Sequence, residues 1–473
     1  MNRLEELTSL LGSEKVCAFD AAAEEDRSAA AGFAPAAVAV PETDEDVVLL
    51  MDWARENRVP LVPVSSAGPH YRGTTKPERE GAVLVDMRRM DRILTVTREQ
   101  RILIVEPGVT HEQIEKTLAE NDLAFPMPLA PKAGKSVLAS ALELEPRINC
   151  MHSWNAMEPL RCIDAFWADG THMFTGSAAG GPMDLEKQHS KGNWQLDSSG
   201  PALIDYYRIM AGSLGTLGIA GWVSLRCEVL PKEHVMFFAA SDSLQDVTDL
   251  AYDIILKRFS DELFVIDRRA FAKLTKSEEE VPEWILVIGI AGRDKAVHLR
   301  VEGQTLDIRE MAQARGLSLL SELGGVTGEE MLQIVSHACP AGDFWKERGA
   351  ERVYQLIFLN TLDKTGAQLA AAKEAGLPEG SAVYVQPLHQ GASCQCEILI
   401  PYRAGEEEQM RALADRLADA VHAAGGYFSR NYGGHAARQI EDREEIRLLR
   451  GVKNIFDPQH MMNPGKLGQI EEA

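Results

Sequence analysis

The sequence lacks the usual marks of a metal centre or of nucleic-acid binding. Its seven cysteines form neither a Cys-x-x-Cys pair nor a cluster of four, so their spacing carries no zinc or iron–sulfur signature. Basic residues are in deficit, 49 against 71 acidic ones, and the formal net charge is −22. Because nucleic acids and anionic membranes attract clustered lysine and arginine, this balance argues against both as partners. No metal site is expected.

Long apolar runs are also missing. No stretch approaches the ~18 uninterrupted apolar residues of a membrane-spanning helix, and residues 1–16 lack the continuous apolar segment of a signal peptide. An odd number of cysteines without an evident disulfide framework fits a reducing compartment. We therefore expect a cytoplasmic protein with no membrane span.

The sequence is long and has the composition of an ordinary globular protein. Its 473 residues exceed the ~250–300 at which single cores usually stop growing, so two domains are expected. Strands and short helices are indicated up to about residue 230, and long helices alternate with apolar strands after it. These patterns predict an α+β fold. The expected division is an N-terminal segment (1–35), a first domain (36–232), a second domain (233–425) and a C-terminal segment (426–473).

The first motif is a small-residue loop that follows a strand–helix–strand unit. Val38–Val40 and Leu61–Val64 have strand character. Between them, Asp46–Asn57 has helical spacing, and Thr43 with Asp46 resembles a capping box. The loop that follows contains Ser65, Ser66, Ala67, Gly68, Pro69 and His70. Such residues let successive backbone N–H groups turn toward one anion, so the loop is a candidate phosphate site, with a plain surface turn as the alternative.

Two further motifs lie far along the chain. Gly212–Ile219 contains three glycines, which allow the backbone to approach a flat or extended ligand closely. A bulged barrel strand is the alternative interpretation. After a helix that is expected to end at Asp457, an Asn-Pro-Gly-Lys turn contains Asn463 and Lys466. The lysine has no obvious structural purpose there, although a simple terminal turn with an exposed lysine would look the same.

Taken in this order, the motifs resemble the vanillyl-alcohol-oxidase (p-cresol-methylhydroxylase, PCMH-type) flavoprotein superfamily, which includes glycolate and D-lactate dehydrogenases. The resemblance covers residues 36–232 and 426–468 well and the middle loosely. It implies a PCMH-type FAD-binding domain of two α+β subdomains, closed by an α+β cap domain that carries substrate-specific residues. The implied activity is FAD-dependent oxidation of a small alcohol, hydroxy acid or phenolic substrate by hydride transfer to flavin N5. The stretches that carry it are PETDEDVVLLMDWARENRVPLVPVSSAG, GSLGTLGIAGWVSLRCEVLP and VKNIFDPQHMMNPGKL.

The resemblance also assigns residues to the cofactor. The serine–alanine–glycine loop would line the pyrophosphate, residues 131–137 would pass along the flavin, and residues 215–219 would approach the adenosine and ribityl parts. The C-terminal asparagine and lysine would lie near the flavin ring. The implied FAD-binding residues are Ser65, Ser66, Ala67, Gly68, Pro69, His70, Pro131, Gly134, Lys135, Ser136, Val137, Ser140, Gly215, Thr216, Gly218, Ile219, Asn463 and Lys466.

The sequence departs from the family pattern where covalent flavin links and metal ligands are found. Val64 and Pro69 replace residues usual in the loop, and His70 is one residue from the usual linking position. We therefore expect FAD to be bound non-covalently. Cys150 suggests a second link, but a buried apolar cysteine is the alternative. The family's His-rich metal segment retains only His389, so the resemblance implies no metal site.

Four residues are the main candidates for substrate chemistry, and Glu397 on a presumed cap strand is a further one. If the segment around residue 431 is extended, Tyr432 and Arg430 project to one face, where they would ionise a phenol or bind a carboxylate. His389 is a candidate base, and His152 follows the segment that passes the flavin. A surface arginine, a packing tyrosine and hydrogen-bonded core histidines are the alternatives.

Other functions stay open. One is a 2-hydroxy-acid dehydrogenase-like subunit that passes electrons to a partner protein. Another is a flavin-binding electron relay, or a non-catalytic scaffold, since the loop has lost glycines. A small-molecule substrate is the expected partner, with an electron-acceptor protein and a homodimer left open.

Overall fold

Three β-sheets, of four, five and six strands, organise the chain. A computed structural model describes residues 3–19, 33–68, 75–153, 157–192, 195–200, 204–429, 432–440 and 442–468. The first two sheets lie within residues 16–226, and the third begins at Glu233. The change of sheet therefore falls close to the composition change near residue 232.

The four-stranded sheet has the order β1-β2-β4-β3, and its last three strands are parallel. The second helix begins at the expected capping box, in which the Thr43 and Asp46 side chains bond to each other's backbone amides, and it buries Val47, Leu50 and Met51. Strand β1 pairs with β2, so residues 3–19 are part of this sheet's unit and not a separate segment. The elements are α1 (Arg3–Leu11), β1 (Val16–Cys17), β2 (Ala37–Ala39), α2 (Asp44–Asn57), β3 (Leu61–Val64) and β4 (Val83–Asp86).

The five-stranded sheet is antiparallel, with the order β5-β6-β10-β8-β9. Its central strand β10 begins at Gly218, the last glycine of the Gly212–Ile219 motif, and eight of its nine residues are buried. The elements are β5 (Ile93–Thr97), β6 (Ile102–Val105), α3 (His111–Ala119), β7 (Leu123–Ala124), α4 (Val137–Leu142), β8 (Leu160–Trp167), β9 (His172–Phe174), α5 (Leu185–Lys191), α6 (Tyr206–Met210), β10 (Gly218–Arg226) and β11 (Glu228–Val229).

The six-stranded sheet is antiparallel, with the order β12-β14-β13-β18-β19-β17, and apolar cores cover both of its faces. Helices α7, α9, α11 and α12 contribute to one core, and α8 and α10 to the other. The elements are β12 (Glu233–Ser241), α7 (Leu244–Lys257), β13 (Leu263–Asp267), α8 (Arg268–Thr275), β14 (Trp284–Gly292), α9 (Val297–Ala314), β15 (Glu322–Leu323), β16 (Val326–Thr327), α10 (Gly328–Ser336), β17 (Arg352–Asn360), α11 (Thr365–Glu374), β18 (Ala382–Leu388), β19 (Ser393–Tyr402) and α12 (Glu407–Ala423).

The C-terminal segment returns to the first sheet. After α13 (Arg443–Phe456), the backbone at Met462 bridges to Leu61 of β3. The Leu61 amide donates to the Met461 carbonyl at 2.8 Å, and the Asn463 amide donates to the Leu61 carbonyl at 2.7 Å. These bonds place the Asn-Pro-Gly-Lys turn beside the strand that precedes the serine loop.

A buried charged network joins the five-stranded sheet unit to the six-stranded one. Asp261 accepts hydrogen bonds from Arg293 at 2.6 Å and from His152 at 3.0 Å. Arg293 also donates to the Val229 carbonyl at 2.9 Å. Burial raises the pKa of Asp261, but the bonds from His152 and Arg293 outweigh it and lower the pKa to about 2. Asp261 is therefore ionised in the folded protein at neutral pH.

Asp261→Asn is expected to lower the free energy of unfolding by about 2 kcal/mol at pH 7, because a carboxylate with a depressed pKa stabilises the folded state. The folded pKa lies below the ordinary value of 3.8, so this stability is present above about pH 4 and is lost as the pH falls toward 2. Denaturant unfolding of both proteins across pH 7 to 3 would measure it. A difference that stays constant down to pH 3 would contradict this account.

None of the described helices is both long enough and apolar enough to cross a membrane.

Candidate functional site

One cavity runs from the serine loop, past the glycine-rich strand, to the six-stranded sheet. The four-stranded sheet unit supplies one end of its lining, the segment around α4 and the start of β10 supply the middle, and the six-stranded sheet supplies the other end. Its described lining is Pro63, Val64, Ser65, Ser66, Ala67, Thr75, Met87, Pro107, Pro128, Leu129, Pro131, Lys132, Lys135, Leu138, Ala139, Leu142, Glu143, Glu145, Pro146, Met210, Ser213, Leu214, Gly215, Gly218, Ile219, Ala220, Phe344, Lys346, Gln355, Tyr384 and Glu397.

The serine loop is bound directly to the segment that precedes α4. The Ala67 amide donates to the Gly134 carbonyl at 2.9 Å, and the Ser136 amide donates to the Ser66 hydroxyl at 3.0 Å. Lys132 donates to the Ala67 carbonyl at 3.3 Å and also to the Gly68 carbonyl. The loop therefore does not turn all its amides toward an anion, since that of Ala67 is used within the protein. Lys132 adds a positive charge that the small-residue pattern of the loop does not reveal.

Two glycines let the glycine-rich strand approach its neighbours. Gly215 has a φ of +71°, and a Cβ there would lie 2.8 Å from Cγ of Pro63, at the end of β3. A Cβ at Gly218 would lie 2.2 Å from the Phe166 carbonyl oxygen. The strand and the residues before the serine loop thus meet at one cavity wall, as the sequence predicted.

Gly218→Ala is expected to destabilise the protein by about 1–3 kcal/mol, because the added methyl group overlaps a backbone oxygen of the paired strand. Flavin content should fall with it, since this residue lines the cavity. Gly303→Ala is the matched control. Gly303 lies in α9 with nothing within 4 Å of the added atom, so that change should stabilise by about 0.5–1 kcal/mol. Thermal unfolding and bound-flavin absorbance would measure both, and equal behaviour of the two variants would contradict the close-approach argument.

Strand β19 and the loop before β17 contribute a buried ion pair to the cavity wall. Lys346 donates to both carboxylate oxygens of Glu397 at 2.8 Å, and the two side chains are only 8% and 1% exposed. Tyr384 lies directly across from Glu397 in the β18–β19 register, and its hydroxyl donates to Gln386 at 2.7 Å. Burial, followed by the charges of Glu397 and Glu145, raises the pKa of Tyr384 well above its usual value of 10. Tyr384 is therefore a neutral hydrogen-bonding group.

The structure divides the described FAD-binding candidates into those that line the cavity and those that do not. Eight line the cavity: Ser65, Ser66, Ala67, Pro131, Lys135, Gly215, Gly218 and Ile219. Most of the others are not in the described lining: Gly68, Gly134, Ser136, Val137, Ser140, Thr216, Asn463 and Lys466. Pro69 and His70 lie outside the described residues.

Several residues of the second group have structural partners. Ser136 caps α4 and donates to the Pro107 carbonyl at 2.5 Å. Thr216 donates to the Ser213 carbonyl at 2.6 Å, and Asn463 donates to the Leu214 carbonyl at 2.7 Å. Lys466 forms a 2.7 Å ion pair with Glu78. These residues hold the segments that line the cavity, and direct contact with FAD remains a prediction for them.

Of the four predicted catalytic residues, the structure describes the side chains of the two histidines. His152 bonds to Asp261 in the network between the sheets, and His389 lies 3.4 Å from the Ser393 hydroxyl. Neither histidine lines the cavity. Tyr432 begins the short 3-10 helix Tyr432–Arg438, and Arg430 lies outside the described residues. The catalytic roles of these residues remain predictions, and none enters the function proposed below.

Cys150 has the environment of a core residue. It is buried in the apolar core of the six-stranded sheet and does not line the cavity. Burial raises the pKa of its thiol to about 12, which keeps the nucleophilic thiolate scarce. This surrounding matches the alternative of a buried apolar cysteine.

The α+β architecture and the cavity fit a flavoprotein, and comparisons with known proteins agree. Residues 35–140 match the FAD binding domain model, and residues 230–467 match the FAD linked oxidase C-terminal domain model. The second match alone covers half of the chain. The protein belongs to the FAD-linked oxidase family and is an FAD-dependent oxidoreductase.

The chain is also similar to individual members of known families. It is 23% identical to D-2-hydroxyglutarate dehydrogenase of Xanthomonas citri pv. viticola, over 93% of this chain and 90% of the relative. It is 22% identical to a probable mitochondrial D-lactate dehydrogenase of Danio rerio, over 93% and 85%.

Two solved structures share the fold. The 4-ethylphenol oxidase from Gulosibacter chungangensis superposes with a TM-score of 0.82 at 16% identity, over 99% of this chain and 96% of that one. A p-cresol methylhydroxylase superposes with a TM-score of 0.79 at 17% identity, over 98% and 96%. These likenesses establish the PCMH-type α+β fold.

The residues present fit FAD. Backbone and small side chains from Ser65, Ser66 and Gly215 form a narrow wall, which suits the extended dinucleotide, and Lys132 supplies positive charge at the loop. Leu138 and Ile219 add apolar surface for a flat ring. When bound, FAD supplies the hydride acceptor, and the chain supplies binding, orientation and proton handling.

Proposed function

We propose that the protein oxidises a small, uncharged, hydroxylated compound, and that a phenol or benzylic alcohol suits the site better than a hydroxy acid. The observation that carries this proposal is the buried Lys346–Glu397 pair in the cavity wall. An ammonium held there can stabilise negative charge that develops on a substrate oxygen as it loses its proton. Glu397 holds the lysine in place through both of its carboxylate oxygens.

The surroundings of this pair support an uncharged substrate. The aromatic side chains of Phe344 and Tyr384 share the wall with it. The three lysines of the described lining are already engaged. Lys132 bonds to loop carbonyls, Lys135 forms a 2.6 Å pair with Glu143, and Lys346 is paired with Glu397. A substrate carboxylate would have to compete for one of them, at a cost in desolvation.

A 2-hydroxy acid is the second candidate, because the curated relatives named above are dehydrogenases of D-2-hydroxyglutarate and D-lactate. In that case electrons would pass on to a partner protein. The homodimer and the cytoplasmic location also remain proposals.

A substrate panel tests the proposal. The purified holoprotein would be mixed anaerobically with a 4-alkylphenol, a benzylic alcohol, D-lactate or D-2-hydroxyglutarate, and bleaching of the flavin absorbance would be followed. We expect the two aromatic compounds to bleach the flavin fastest. Reoxidation by air or by cytochrome c would then identify the kind of acceptor. Bleaching by the hydroxy acids alone would overturn the proposal in favour of the second candidate.

A further inference from the structure

A third carboxylate besides those of Glu143 and Glu397 faces the cavity, from the segment that follows α4. Glu145 lines the cavity, and its Oε2 accepts a hydrogen bond from the Ser140 hydroxyl at 2.7 Å. Ser140 is 5% exposed and does not line the cavity. Its hydroxyl therefore bonds to Glu145. Ser140 thus supports the Glu145 carboxylate rather than the cofactor.

Behind Ser140 lies a completely buried histidine. Nε2 of His111 is 3.1 Å from the Ser140 hydroxyl oxygen, and the ring is 0% exposed. Ser140 donates its hydroxyl hydrogen to Glu145. The hydrogen in the contact between His111 and Ser140 must therefore be on Nε2 of His111. Nδ1 is then the unprotonated nitrogen, and it has no hydrogen-bond partner among the described residues. Burial, offset in part by Glu145, lowers the pKa of His111 to about 4, so the ring is neutral at physiological pH.

The chain of bonds has one direction. His111 donates to Ser140, and Ser140 donates to Glu145, so each neutral donor orients the next group toward the cavity. Such a chain fixes the rotamer of the Glu145 carboxylate at the cavity wall. His111 is itself held in place because its amide donates to the Lys135 carbonyl at 3.2 Å and α3 begins there.

Glu397 and Glu145 have different roles at the cavity wall. Both oxygens of Glu397 are bonded to the Lys346 ammonium. The Ser140 hydroxyl donates to one oxygen of Glu145. Both glutamates raise the pKa of Tyr384, so the two carboxylates lie near the same tyrosine.

We propose that Glu145 is the base that removes the hydroxyl proton of the substrate, and that Ser140 and His111 are positioning residues that present it. The inference rests on the proposed oxidation of a hydroxylated substrate. In that reaction the O–H bond breaks and its proton goes to a Glu145 oxygen. The C–H bond breaks and its hydrogen leaves as hydride with two electrons, for which FAD is the acceptor. With an alcohol, the carbon–oxygen single bond becomes a double bond. With a 4-alkylphenol, the equivalent quinoid product forms.

The kinetic test uses the holoenzyme and whichever panel compound wild type oxidises. Glu145→Gln is expected to lower kcat/KM by about 10²–10⁴-fold and to remove the acid limb of its pH profile, because the amide cannot accept the proton. Ser140→Ala should cause a smaller loss and shift that limb, and Ser140→Thr, which retains the hydroxyl, should restore it. Glu112→Gln, an exposed change in α3, is the control and should match wild type. An unchanged rate and pH profile in a folded, flavin-loaded Glu145→Gln protein would overturn the proposal.

A second readout does not depend on turnover. With ¹⁵N-labelled histidine, the ring nitrogens of His111, identified by their loss in His111→Asn, should report the tautomer with the proton on Nε2. Ser140→Ala should perturb these shifts and Ser140→Thr should restore them. A proton on Nδ1 would overturn the positioning chain. If no panel compound bleaches the flavin while the ring shifts are as expected, the substrate proposal fails and the positioning chain stands.

Discussion

Lys346→Met is expected to lower kcat/KM by about 10²–10³-fold, the usual cost of removing one preorganised donor to a developing oxyanion. It should also reduce the free energy of unfolding by about 3–5 kcal/mol, because Glu397 would remain as an unpaired charge at 1% exposure. Denaturant unfolding and steady-state kinetics on the best panel compound would measure both effects.

The double variant Lys346→Met/Glu397→Leu separates the two effects. Replacing both partners of a buried ion pair by apolar residues is often neutral or stabilising, so folding should recover in the double variant. Activity should not recover, since the ammonium is still missing. A double variant that regains wild-type kcat/KM would show that the pair has only a structural role, and the function proposed for this end of the cavity would then fail.

Lys453→Met is expected to destabilise the protein by about 3–5 kcal/mol and to release the flavin. Lys453 is the one fully buried side chain of α13. It donates to Asp457 at 2.6 Å, to the Thr216 carbonyl at 2.5 Å and to the Met462 carbonyl at 3.3 Å. One ammonium thus ties the C-terminal segment to the glycine-rich motif. Its loss removes the cation from Asp457, which is 0% exposed and would keep, among the described residues, only the amides of Met461 and Met462 as donors.

The control for this prediction is Lys116→Met. Lys116 is exposed on α3 and forms only a 3.9 Å surface pair with Glu120, so its loss should change stability by no more than about 0.5 kcal/mol. Flavin content, unfolding midpoint and refolding with added FAD would be compared. A Lys453→Met protein that keeps its flavin and is as stable as Lys116→Met would refute the proposed role of Lys453 in holding the C-terminal segment against the glycine-rich motif.

Local structure followed the sequence closely in the regions that carry the resemblance. The helix predicted at 46–57 is observed as Asp44–Asn57, and the strand predicted at 61–64 is observed as Leu61–Val64. Capping boxes, glycine turns and apolar periodicity involve residues a few positions apart, so they can be recognised without knowledge of the fold. The N-terminal segment is different, because β1 has its partner in β2 and no local pattern indicates that pairing.

The sequence alone therefore determined the fold class, the cofactor and the two segments that meet at one end of the cavity, because these depend on short motifs. Only the tertiary structure decided which polar groups line the cavity and which groups support them from behind. Lys346 and Glu397 are 51 positions apart, and Ser140 and His111 are 29 apart. Each is a single side chain whose neighbours are set by strand register and loop path. The histidines at 152 and 389 resemble a base equally well in sequence, and only packing separates them from the lined cavity.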